Sequence, residues 1–398
     1  MCQRNDSHTH AHPRNHVTHT TQTSRRDFLR LLTGTALAGA SVLELAAHRA
    51  AWASAAAPTA PANLFDIHKA AEDVYFAQAH PRAIINCNAA IFVRSQDVVV
   101  VDSHSLPSSA AALLAQIKRE VTPKPVRYLI NTHFHADHTQ GNHAYRVTGH
   151  PVDIISTIPT KKLLEYLALT RLKDSIDAVP QQIEELTKRS EASSSPAEKA
   201  FCADQIRQLR EYQSEMKDFT LELPTITFDD SYLLKDPAFD LHLSFHGRAH
   251  TAGDLFVYCP QHSALATGDA SHCFLPNIAD GYPRLWPATI DEVARIGFNH
   301  FLGGHGPMQS NNTAMLNQRN FIEELVEKVE AGKKAGRSLD EMKQLLTVAS
   351  LKSLQSNNYA DFLVRNLTEG TPNFGPRPPL QNDVNDCIRD VYNNLDRT

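Results

Sequence analysis

The chain has no CxxC pair, no surplus of basic residues, no internal repeat visible by eye, and no apolar run long enough to remain as a membrane span. Each absence narrows the possibilities. Without paired cysteines, a cysteine zinc site is disfavoured. Lys and Arg number 39 against 44 Asp and Glu, a net charge of −5, and without residues 1–53 the balance is 33 to 41, or −8. That sign argues against nucleic acid and anionic membrane surfaces, which reward a basic face. Five cysteines remain beyond residue 53, namely Cys87, Cys202, Cys259, Cys273 and Cys387. An oxidising compartment permits one or two disulfides among them and leaves at least one thiol over. What is present is an ordinary globular composition, 42% hydrophobic and 21% charged, over 398 residues, enough to bury a large core.

Residues 1–53 read as a twin-arginine signal peptide. Arg25-Arg26-Asp27-Phe28-Leu29 precedes a weakly apolar stretch from Leu31 to Ala47, and Ala51-Trp52-Ala53 has the small-residue pattern of a cleavage site. Glu44, His48 and Arg49 within that segment are costly in a lasting transmembrane helix. The expectation is a periplasmic or secreted protein with no stable membrane anchor after cleavage. His8, His10, His12, His16 and His19 lie in the part to be removed, so they read as a polar leader.

Residues 64–310 form the expected main domain. Ala89–Arg94 and Val98–Val101 read as strands around a Ser95-Gln96-Asp97 turn, followed by a helix over Ser108–Glu120 with Ser108 as cap and a strand over Val126–Asn131. Strand, helix, strand with polar residues at the strand end is an α/β pattern. A Lys-, Glu- and Leu-rich block at about residues 159–219 has helical spacing and reads as two or three inserted helices, interrupted near Ser193-Ser194-Ser195-Pro196. It reads either as a substrate lid or as a packing or dimerisation element. Strands are expected at Thr225–Phe228, Tyr232–Leu234, Phe239–Phe245, Leu255–Tyr258 and Ala264–Thr267, and a helix over Thr289–Ile296. A helical extension occupies 311–398, as one helix over Asn312–Lys334, another over Ser338–Asn366, and a Pro- and Asn-rich tail.

Chemistry concentrates in Asn131-Thr132-His133-Phe134-His135-Ala136-Asp137-His138. Neutral imidazole and carboxylate are the preferred ligands of open catalytic zinc sites, at about 2.0–2.2 Å. His133 and His135 at a strand end can turn towards one metal, while Asp137 and His138, one turn on, can reach a second. Gly141-Asn142 lets the backbone tighten beneath them.

This HxHxDH stretch resembles the metallo-β-lactamase superfamily, and three more segments follow in the family's order. His250 stands in His250-Thr251-Ala252-Gly253-Asp254, Asp269 in Thr267-Gly268-Asp269, and His305 in Gly303-Gly304-His305-Gly306-Pro307. The resemblance implies an αββα sandwich, here with a helical insertion and a helical C-terminal extension. It implies two zinc ions per chain, the first held by His133, His135 and His250, the second by Asp137, His138 and His305, with Asp269 bridging. Three imidazoles leave one position open, and a bridging carboxylate offsets the metal charge. Asp102, in Val-Val-Asp-Ser-His, is similar to the family's early segment that supports the metal loops. Thr251 and Asp254 read as loop-bracing hydrogen bonders, His246 as a supporting or surface residue, and Phe274, Tyr282 and Trp286 as candidate walls of a substrate pocket, with core packing at least as good a reading.

The implied reaction is hydrolysis, in which a metal-bridging hydroxide oriented by Asp137 attacks a small-molecule ester, thioester, lactone or lactam. The Thr-Gly-Asp269 element is similar to glyoxalase-II-type enzymes, and the Gly-His-Gly-Pro ending with its helical tail to periplasmic hydrolases of quinoprotein systems. A true class B β-lactamase is the alternative within the family, and an iron oxidoreductase on the same fold is the alternative outside hydrolysis. Oligomeric state stays open.

Overall fold

β1 (Phe65–Ala71) and β2 (Val74–Ala79) begin the described part of the computed structural model, which comprises residues 64–368 and 380–397. The expected leader, residues 1–53, lies outside it. β3 (Ala89–Val93), β4 (Val98–Val101), β5 (Val126–Ile130), β6 (Asp153–Thr157) and β7 (Ile226–Phe228) complete a seven-stranded sheet in sequence order. Pairing is antiparallel through β4 and parallel from β4 to β7. The second sheet holds β8 (Ser231–Leu234), β9 (Leu241–Ser244), β10 (Phe256–Cys259), β11 (Ala264–Gly268) and β12 (His300–Gly303), in the order β12-β11-β10-β9-β8.

The run Ala-Ala-Ile-Phe-Val in β3 is buried throughout, because both faces of its sheet are covered. Successive side chains alternate. Ala90 and Phe92 enter the core between the sheets, with Val99, Ile130, Leu243, Val257 and Leu302. Ala89, Ile91 and Val93 face outward to α1 (Pro107–Glu120), which buries Ala110, Leu113 and Ile117 at helical spacing. Ser108 is not its cap. Pro107 sits in the first turn with Leu106 as N-cap, and the Ser108 hydroxyl donates to Glu215 instead.

The inserted block is two helices, α4 (Ile158–Ala192) and α5 (Pro196–Glu215); α2 and α3 belong to the histidine loop below. The interruption falls where Ser195 caps α5 through the Glu198 amide and Pro196 takes the first turn. Leu172, Val179, Leu209 and Tyr212 seal the pair against Ile84 and Leu106.

The C-terminal helices α6 (Trp286–Ala294), α7 (Thr313–Lys334), α8 (Leu339–Leu345), α9 (Lys352–Gln355), α10 (Tyr359–Thr368) and α11 (Leu380–Asn394) cover the outer face of the second sheet. The single helix expected over 338–366 is three. Thr347 and Ser350 hydroxyls bind local amides, and Asn357 and Asn358 both adopt φ of 53°, which Asn tolerates and a helix does not. The Pro- and Asn-rich tail contains α11, which buries Leu380, Val384, Cys387, Ile388 and Val391. The five cysteines among the described residues are buried and free of disulfides.

Candidate metal centre

Every motif sits where a strand ends. β5 runs through Asn131 and Thr132 into His133 and His135, and the chain then closes two short turns of helix, α2 (Ala136–Thr139) and α3 (Asn142–Arg146). Asp269 follows β11, His305 follows β12, and His250 lies on the loop from β9 to β10. The loops are tied together by backbone and amide contacts. Asn131 and Asn142 exchange side-chain hydrogen bonds at 3.0 and 2.9 Å, and Leu255 donates its amide to the Thr132 carbonyl at 2.8 Å. Thr251 donates both its amide and its hydroxyl to Asp254, a carboxyl that burial pushes up to about 7. Asn88 donates to the Gly303 and Gly306 carbonyls, fixing the His305 turn from across the sandwich.

The motif residues form two ligand-type groups, each with its donor atoms within 4.8 Å of one another: His133, His135 and His250, and Asp137, His138, Asp269 and His305; a third group, Cys87, Asp102 and His138, adjoins the second through His138. All seven motif residues are buried. Asp269 lies between the groups, with Oδ1 3.4 Å from His138 Nε2 and Oδ2 3.3 Å from His305 Nε2 and 3.8 Å from His250 Nε2. Asp137 Oδ2 lies 3.1 Å from His305 Nε2 and 3.3 Å from His138 Nε2.

The outer nitrogens of four histidines show whether these residues fit a cation. His250 Nδ1 donates to the Asn277 carbonyl at 2.9 Å, so its Nε2 is bare. His135 Nε2 donates to Asp280 at 2.8 Å, which leaves its Nδ1 as the inward nitrogen. These two inward nitrogens face each other at 2.9 Å, and in neutral rings both carry lone pairs, an arrangement that a cation relieves. His133 Nδ1 donates to Thr132 Oγ1 at 3.0 Å, whose own proton goes to Asp102, and His133 Nε2 is left buried without a hydrogen-bond partner. His138 Nδ1 donates to Asp102 at 2.7 Å, and its Nε2 is likewise unpartnered, as is Asp269 Oδ1. Partners on the outer nitrogen that fix the inner one are characteristic of metal-ligating histidine.

Charge divides the two halves. Burial pushes His250 down to about 3, with the neighbouring His135 adding to it, and burial also holds His133 well below the ordinary range, so both present neutral imidazoles. Burial also opposes charge on His138 and His305, but the surrounding carboxylates outweigh it and raise both above the ordinary imidazole range. The negative charge that favours protons there favours a cation equally.

Asp102 stands where the resemblance placed it, behind the loops. It accepts from the Thr132 amide, the Thr132 hydroxyl and His138, and does so from a left-handed backbone at φ of 68°, with His104 at 70°. Such strain in non-glycine residues persists only where the surroundings over-determine it. His246 lies apart from both groups, half-buried, with Nε2 2.8 Å from Ser244 Oγ.

The pocket wall expected from Phe274, Tyr282 and Trp286 needs correction. Trp286 is fully enclosed, donates Nε1 to the Ala270 carbonyl at 2.8 Å, and backs the His250 ring from the core side. Tyr282 is buried beneath the Arg248 and Arg397 guanidiniums. Only Phe274 is partly open. The cleft that borders His135 lies on the other side, between the histidine loop and the insertion, walled by Phe134, Ala168, Arg171, Phe219 and Leu221.

Sequence reasoning missed Asp280 and Arg171. Asp280 accepts from His135 and from both terminal nitrogens of Arg171 on α4, at 2.7 and 2.8 Å. Burial works against its charge, yet Arg171 and His135 hold its carboxyl well below the usual range. Nothing in an Asp-Gly turn or in an arginine on a long polar helix marks either residue.

A two-sheet α/β sandwich with imidazole and carboxylate ligands gathered at its strand ends defines a class of metal-centre protein. The chain belongs to the metallo-beta-lactamase superfamily, whose family model matches residues 84–297. Among solved structures it is similar to the metallo-beta-lactamase from Pontibacter korlensis, at 17% identity over 65% of this chain and 99% of that one, with a TM-score of 0.48. It is also similar to the DIM-1 metallo-beta-lactamase, at 14% identity over 65% and 97%, with a TM-score of 0.47. The metallo-beta-lactamase from Hirschia baltica matches at 16% identity over 64% and 96%, with a TM-score of 0.44.

Proposed function

We propose that this protein is an exported two-zinc hydrolase of small acyl compounds, an ester, thioester, lactone or lactam. The observation that carries the reading is the inward-facing nitrogens of His133, His135 and His250, each with its outer nitrogen engaged elsewhere, beside a second, carboxylate-bearing set. His133, His135 and His250 would hold one ion, Asp137, His138 and His305 the other, with Asp269 serving both. Bound there, the ions supply an acidified water and Lewis-acid polarisation of an acyl oxygen.

The chain's own residues do the rest. Asp137 accepts a hydrogen of the attacking water and sets its direction towards the acyl carbon. Asp102 holds His138 by its outer nitrogen, and Asn277 does the same for His250, so that neither ring can swing. Water serves as the nucleophile, and no serine or cysteine nucleophile is required. Complete ligand sets for two ions favour hydrolysis over a mononuclear redox centre.

Metal analysis of purified protein should return about two zinc ions per chain. A chelator should remove them together with activity on a panel of aryl esters, acyl thioesters, γ-lactones and β-lactams, and zinc should restore both. A single tightly held ion, or iron with a visible chromophore, would overturn the reading. Export is tested separately. Arg25→Lys with Arg26→Lys should leave the full-length chain in the cytoplasm, and normal appearance of a shortened periplasmic form would refute it. No helix among the described residues is long and apolar enough to cross a membrane.

A further inference from the structure

The outer partners of the ligand histidines come from different parts of the chain. For His133, His138 and His250 they are Thr132, Asp102 and the Asn277 carbonyl, all on loops of the sandwich. For His135 the partner is Asp280, and Asp280 is itself clamped by Arg171 of α4, which belongs to the helical insertion. Arg171 spans 109 residues of chain to reach Asp280 and also lays its guanidinium 4.8 Å over the ring of Phe134, the residue before His135. The whole chain of contacts is sequestered, with side-chain exposures of 16% for Arg171, 8% for Asp280 and 6% for His135.

We propose that Arg171 is a positioning residue for the metal centre, setting the rotation of His135 through Asp280 and so making the helical insertion part of the metal site. The inference rests on the metal-centre reading above. Its physics is that of a fork. A planar guanidinium making two parallel hydrogen bonds fixes the plane of the carboxylate, as a single ammonium cannot. The fixed carboxylate oxygen then fixes the direction of the His135 Nε2–H bond, and the ring plane with it. Without Arg171 the Asp280 carboxylate is a buried charge with its main counter-charge gone, and it must turn or admit water. Either change rotates His135 away from the direction in which its Nδ1 faces His250. Removing an outer partner of a ligand histidine commonly weakens metal binding by about 10- to 100-fold.

The test uses the full chain stripped of metal and titrated with Zn2+ against a competing chelator, and separately loaded with Co2+ for its visible ligand-field bands. Arg171→Met should weaken the tighter Zn2+ step by about 10- to 100-fold and shift the Co2+ bands. Arg171→Lys, which keeps the charge but not the fork, should recover part of the affinity and only part of the spectrum. Arg189→Met is the control. Arg189 lies on the same helix, pairs with Glu198 at 2.8 Å and stacks over Phe201 at 5.5 Å, so its loss loosens the insertion without touching Asp280. Wild-type affinity and spectrum in Arg171→Met, or equal losses in Arg189→Met, would overturn the proposal. Should Arg171→Met not fold, Arg171→Lys decides alone: unchanged affinity refutes, and a loss at unchanged thermal stability supports. A wild-type chain that binds no Zn2+ would instead sink the metal-centre reading and this inference with it.

Discussion

Asp269→Asn should lower turnover by orders of magnitude and release one of two zinc ions while leaving the protein folded. Asp269 is the residue that faces both groups, within 3.4 Å of His138 and His305 and 3.8 Å of His250. The substitution removes a negative charge from the place where two dications would meet, and replaces two equivalent oxygens with an amide that bridges poorly. The fold should survive because the hydrophobic cores lie between and outside the sheets, away from this carboxylate. Metal counting and far-ultraviolet circular dichroism on one preparation check both halves of the expectation. His246→Ala is the companion measurement and should keep both ions and most activity, since His246 meets Ser244 and the edge of Phe256 and neither ligand group. Two ions in the Asp269 variant together with metal loss in the His246 variant would require the ligands to be redrawn around the His246–His250 loop.

Gly141→Ala should damage stability and metal uptake together. A Cβ at position 141 would fall 1.8 Å from the Ser103 carbonyl oxygen and 2.8 Å from the Ala110 Cβ. The nearest obstacle is backbone, so it cannot swing aside as a flexible side chain would. The displaced residue adjoins Asp102, which holds both Thr132 and His138. Overpacking of this kind costs on the order of 3 kcal/mol. Urea unfolding of the metal-free protein should show that loss, and zinc competition should show weakened binding at the His138 side. Gly149→Ala separates close approach from backbone conformation. Gly149 has φ of 83° with nothing within 4 Å of the added carbon, so it should lose only about 1 kcal/mol and bind metal normally. Equal stability in the two variants would refute the steric account.

The ligands are legible in the amino-acid sequence because this fold gathers its chemistry at strand ends. Four of the seven lie within His133–His138, and Asp269 and His305 each follow a short apolar strand, so local pattern and site coincide. The α/β alternation, the inserted helices and their break at Ser195-Pro196 are equally local, set by hydrophobic spacing, caps and proline. Elements whose local signal is weak are not legible in this way. β1 exposes Asp66, His68 and Lys69 at the sheet edge, and its Phe-Asp-Ile-His-Lys run does not resemble a strand until β2 pairs with it. β6 is five residues long, and α11 hides its apolar spacing among asparagines and aspartates.

What the sequence by itself determined is therefore the family and the candidate ligand residues, since those depend on residue type at short spacing. The tertiary structure alone decided how the donors are aimed. Asp102 reaches His138 across 36 residues, Asp280 reaches His135 across 145, and Arg171 reaches Asp280 across 109. It also removed Trp286 and Tyr282 from the open pocket by enclosing them, and set the insertion's arginine against the metal loop. Hydrogen bonds depend on distance and angle in space, and no local pattern in the chain encodes a contact between segments that meet only when two sheets and an insertion pack together.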